Sequence, residues 1–121
     1  MSSTRMMMFA ASGLFLTVGS AFAEDSRAVQ LAKLGVQLAG HNYATYSDCH
    51  AAPEKLHAFK EKSKVRFPAV GGAFDSLFAA GQAEGQQYWA KGAADLGGED
   101  KVRAAVCPNS LQRLDTSLSR R

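Results

Sequence analysis

Apolar positions recur along this chain at three- and four-residue steps, and no long window alternates with a period of two, so the pattern predicts an all-helical fold. From about Ser26 to Tyr46 the stripe is Val29, Leu31, Leu34, Leu38 and Tyr46, widened by Ala28, Ala32, Val36 and Ala39. Asp25 or Ser26 suits its N-cap, because a side-chain oxygen there accepts from the free amides of the first turn. Gly35 and Gly40 interrupt the stripe. Each weakens a helix by up to about 1 kcal/mol relative to alanine, and each gives room for another helix to come close.

A second helix is predicted from Pro53, where the missing N–H costs nothing, with Glu54 beside it at the positive end of the helix dipole. Leu56, Phe59 and Val65 are its inward candidates, and Phe67-Pro68 closes it. The clearest amphipathic stripe spans about Ala73 to Lys91, with Phe74, Leu77, Phe78, Gly81, Gly85, Tyr88 and Trp89 at helical spacing. Gly97-Gly98 reads as a turn. A fourth helix starts near Glu99-Asp100 and carries Val102, Ala105 and Val106 inward as far as Cys107. Pro108 should break or kink it. Asn109 or Ser110 would then cap a short final helix bearing Leu111, Leu114 and Leu118.

The N-terminus carries a different pattern. Arg5 precedes an apolar run from Met6 to Val18, and Ala21-Phe22-Ala23 supplies the small residues of an A-x-A cleavage site. The run is shorter than the roughly 20 apolar residues that span a bilayer. Residues 1–23 are therefore expected to be a signal peptide, and 24–121 a single helical domain without stable membrane insertion, periplasmic or secreted. The first cysteine is Cys49, too far on for a lipoprotein anchor.

Cleavage leaves 98 of the 121 residues and lowers the formal charge from +3 to +2. So small a domain buries only somewhat over 60% of its unfolded surface, and a covalent staple helps it. Cys49 and Cys107 are the two cysteines, and in an oxidising compartment an even pair is expected to join as one disulfide. The alternatives are a pair of metal-ligating thiolates or a redox-active pair, and neither cysteine stands in a C-x-x-C arrangement, which weighs against redox exchange. With the two ends bridged, the expected architecture is a small irregular bundle of four to five helices, its second and third helices forming the hairpin between the cysteines.

Candidate chemistry is sparse. His50, Glu54 and His57 would share a helix face as metal ligands if a helix ran through them, but Pro53 disfavours a helical Ala52, and surface histidines are the simpler reading. No nucleophile elbow, haem motif, calcium loop or glycine-rich phosphate loop occurs. No catalytic residue or cofactor is therefore assigned. Basic residues are densest from Lys55 to Arg66, which reads as a solvated helix face, or else as a docking surface for an acidic partner or an anionic wall polymer; no cluster suggests nucleic acid. Tyr88 and Trp89, about 100° apart on a helix, exceed what one narrow face buries, so one of them is a candidate partner contact.

In size, export and its single long-range staple between Cys49 and Cys107, the chain resembles the acid-stress periplasmic chaperones, with no motif shared. The expected function is a non-enzymatic module that binds an envelope protein, such as an inhibitor or adaptor of a peptidoglycan hydrolase. The alternatives are a stress chaperone, as that resemblance implies, and a carrier of a metal or small ligand.

Overall fold

The computed structural model describes residues 26–120; the expected signal peptide and its cleavage site lie outside them, as does the expected cap at Asp25. Contacts divide the chain into Met1–Leu31, of which residues 26–31 are described and helical, and a compact unit, Ala32–Arg121. Among the described residues the fold is all-α, with four helices and a disulfide joining Cys49 to Cys107. The helices are α1 (residues 26–48), α2 (Pro53–Arg66), α3 (Phe74–Leu96) and α4 (Glu99–Ser119), with a 3₁₀ segment, Pro68–Ala73, between α2 and α3.

Local chemistry accounts for most of the boundaries. α1 ends in a Schellman turn: the Ala51 amide donates to Tyr46 O at 3.0 Å and the His50 amide to Ser47 O at 3.0 Å. His50 sits at the position that glycine usually takes, with φ of 60°. A Cβ in that conformation costs about 1–2 kcal/mol. His50→Gly should therefore stabilise the protein by about 0.5–1 kcal/mol after the glycine's larger unfolded-state entropy is set against it. A thermal melt should rise by about 2–8 °C. α2 begins at Pro53 after an extended Ala52, and it stops because Phe67, preceding Pro68, is pushed out of the helical region. Gly97, with φ of 87°, ends α3, and the amides of Gly97 and Gly98 both donate to Ala93 O.

α4 continues through Pro108 as one helix, so the separate final helix expected after it does not form. Proline removes the donor that Ala104 O would use, but both residues are exposed, so that carbonyl is not left buried without a partner. Asn109 and Ser110 are therefore interior helix residues, and Ser110 is fully buried rather than a cap.

Packing buries one side of the apolar stripe of α1 and leaves the other in solvent. The buried residues are Ala32, Val36, Ala39, Ala44 and Tyr46, while Leu34 and Leu38 are 60% and 61% exposed. Leu31, described by itself, is exposed as well. The cause is the crossing of α1 over α3. A Cβ placed on Gly85 would stand 2.8 Å from His41 O and 2.9 Å from Ala44 Cβ, and one on Gly40 would stand 2.9 Å from the carbonyl carbon of Phe78. The helices meet backbone to backbone, which only small residues permit. Gly40 and Ala44 of α1 face Gly81 and Gly85 of α3, and the leucines are rotated outward.

α4 is the helix on which α2 and α3 both pack, so the hairpin expected of α2 and α3 is replaced by two separate contacts with α4. One core cluster joins Val36, Tyr46, Phe59, Phe74, Phe78 and Leu114; a second gathers Trp89 and Val102 around the disulfide. Each fully buried large apolar side chain contributes about 1.5–3 kcal/mol. Val65 and Ala105, expected inside, are exposed.

Candidate functional site

α1, α2 and the C-terminal half of α4 bound an open groove of about 1090 Å³. Its floor includes Ala39, Tyr46 and Phe59, and Leu38, Val65 and Phe67 stand along its sides. The Phe67 ring takes the space that a Cβ on Gly35 would fill, so this glycine seats the aromatic wall. Val65 is 80% exposed, an apolar side chain left in water at the groove's edge.

Among the described residues four cations line the groove, Lys62 and Arg66 from α2, Arg113 from α4 and Arg120 just beyond its end, and no carboxylate does. Lys62 Nζ donates to the carbonyls of Ser117 and Arg120, closing the end of α4 where helix carbonyls lack partners and the dipole is negative. The Arg66 guanidinium lies 5.5 Å from the centroid of the Phe67 ring. Arg113 donates to Ser110 Oγ at 3.3 Å. Burial pushes the Tyr46 hydroxyl above the ordinary phenol range, and the charge of Arg113 pulls it partly back. Ion pairs among the described residues join Lys55 to Asp115 and Arg103 to Glu99 and Asp100, leaving Arg66, Arg113 and Arg120 without a carboxylate partner. A surface of one sign beside low-dielectric walls concentrates potential and attracts anions.

The residues singled out from sequence fall elsewhere. Trp89 is 9% exposed and packs beside the disulfide, with the Arg103 guanidinium 5.9 Å from its ring centroid. Tyr88 is 63% exposed, its ring edge-on to His41 with centroids 5.1 Å apart. The two therefore form no common surface. His50, Glu54 and His57 are all exposed, and among the described residues no three His, Cys, Asp or Glu side chains converge as metal ligands. Of the basic run, Lys62 and Arg66 reach the groove, whereas Lys55 is paired with Asp115 outside it. Sequence reasoning missed Arg113 and Arg120, which reach the groove only through the packing of α4 and its end.

At the other end of the unit, Asp48 closes α1 near the disulfide. Desolvation raises its carboxyl above the ordinary range, Glu99 adds to the rise, and Arg103 and His50 oppose it. The negative end of the α1 dipole acts in the same direction as burial. A carboxylate raised on folding favours the folded state only while protonated, so its contribution is full below the unfolded pKa of about 4 and is lost as pH rises through the folded value. Asp48→Asn should raise the melting temperature at pH 7 by about one or two degrees, since solvent screening limits the effect to a few tenths of a kcal/mol. The difference should shrink as pH falls below about 4, where protonation removes the charge from both states.

Comparison with known proteins finds no family model, no curated protein and no solved structure that matches the chain.

Proposed function

We propose that this chain is an exported, non-enzymatic protein-binding module, an inhibitor or adaptor of a cell-envelope enzyme such as a peptidoglycan hydrolase, and that it holds its partner in the groove between α1, α2 and α4. The observation that carries the reading is the groove's composition among the described residues, apolar walls with four cations and no carboxylate. Exposed apolar side chains gathered beside unpaired charge are the usual make-up of a partner site. The disulfide suits an oxidising compartment, where such a small unit gains most from it.

Affinity capture from the native envelope at neutral pH, with mild crosslinking, compares the mature chain with Arg66→Glu/Arg113→Glu and with Tyr88→Ala. One dominant partner near one-to-one is expected, its yield reduced at least tenfold by the double charge reversal and unchanged by Tyr88→Ala. Capture that falls with Tyr88→Ala alone would move the contact to α3. Many weak partners that multiply on acidification would instead favour the chaperone.

A further inference from the structure

We infer that the groove receives a short acidic amphipathic α-helix of the partner; this inference rests on the reading that the groove is a protein-docking site. The first ground is charge complementarity. Arg66 stands on the α2 side of the groove and Arg113 and Arg120 on the α4 side, none paired with a carboxylate among the described residues. An occupant with carboxylates along both flanks would pair with them, and a second copy of the chain seated groove to groove would set cation against cation.

The second ground is the backbone of the occupant. The groove is walled by helices, whose amides and carbonyls are engaged within themselves, so an extended peptide would find no strand edge to pair with. A helix satisfies its own backbone and offers side chains alone, as helix-in-groove recognition requires. Arg113 lies on α4 and Arg120 just beyond its end, so carboxylates along one flank of the incoming helix would face both. Aliphatic residues between them at helical spacing would rest on Leu38, Val65 and Phe67. An acyl chain is less well served, because Leu38 and Val65 stand largely in solvent and no enclosed channel shields a hydrocarbon tail.

The test is a display selection of random peptides of about fourteen residues against the mature, disulfide-bonded chain at low salt. Enriched families should carry Asp or Glu at helical spacing around aliphatic positions, become helical on binding, and lose affinity as salt rises. Arg66→Glu/Arg113→Glu should weaken them at least tenfold. Val65→Glu, at a position exposed enough to leave folding intact, should weaken them as well. Enrichment of neutral, basic or proline-interrupted peptides, absence of enrichment, or affinity unchanged in both variants would overturn the inference. So would phosphatidylglycerol vesicles that bind the chain and displace the selected peptides. A partner captured through the groove alongside non-acidic selected peptides would overturn the acidic helix alone, whereas failure of groove capture would overturn the underlying reading.

Discussion

Gly81→Ala is expected to destabilise the protein by about 2 kcal/mol, although alanine is the better helix former. A Cβ at Gly81 would stand 2.8 Å from the carbonyl carbon of Gln37 and 3.0 Å from its Cα, and nearer still to the carbonyl oxygen. Those atoms are backbone, so no rotamer change relieves the clash and α1 must move away from α3. Overpacking costs about 1–3 kcal/mol, and more where nothing yields; the helix-propensity gain of about 1 kcal/mol offsets part of it. A melting temperature lower by about 8–16 °C follows for a unit of this size. Gly92 on the same helix is the internal control. Its added Cβ would meet Val102 Cγ2 at 3.5 Å, ordinary contact, so Gly92→Ala should raise the melting temperature. Opposite signs at the two glycines are the expected result, and a stabilising Gly81→Ala would contradict backbone contact between α1 and α3. Because α1 is also a wall of the groove, Gly81→Ala should weaken partner capture.

Replacing both Cys49 and Cys107 with alanine should cost about 4 kcal/mol. The cysteines are 58 residues apart, and closing a loop of that length in the unfolded chain accounts for the figure by chain entropy. Against a total of roughly 5–15 kcal/mol this is a large share. Both residues are buried in the cluster that holds Trp89, so the variant also leaves a small void there. One tie between α1 and α4 survives at this end, Arg103 Nε donating to Asp48 O at 3.2 Å. Denaturant unfolding followed by the emission of Trp89, the single tryptophan, measures the loss directly. A change below about 1 kcal/mol would mean that packing and Arg103 hold the helices together without the bond. The disulfide fixes α1 against α4, two of the three groove walls, so its removal should lower partner affinity together with stability.

What was legible in the sequence was local. Pro53, the Phe67-Pro68 pair and Gly97-Gly98 mark their boundaries through backbone chemistry within a few residues, and the structure follows them. The cysteine pairing had no competitor. On α1 the stripe is buried in part: Ala32, Val36, Ala39 and Tyr46 lie inside, while Leu34 and Leu38 face out. Leu34 and Leu38 outweigh Ala39 and Gly40 in hydrophobicity, yet close approach to Gly81 and Gly85 selects the small residues. That choice depends on a partner helix forty residues away, although the matched four-residue spacings of Gly40 with Ala44 and Gly81 with Gly85 carried the signal. Pro108 ends no helix, because the donor it removes falls on the exposed side of α4.

The groove was half legible. The basic run supplied Lys62 and Arg66, and docking of an acidic partner was among its readings. Arg113 and Arg120 join them only through the packing of α2 on α4. The outward turn of α1 then brings Leu38 to the same groove. Its apolar rim and its full charge are thus both products of tertiary packing.

The most direct test of the groove places a photo-crosslinking residue at Val65, at the groove's edge, and in a separate variant at Tyr88 on α3, and irradiates intact cells. The proposal predicts a discrete crosslinked product of one partner from position 65 and none from position 88. A product from position 88 alone, or none from either, would contradict the assignment of the groove as the partner site.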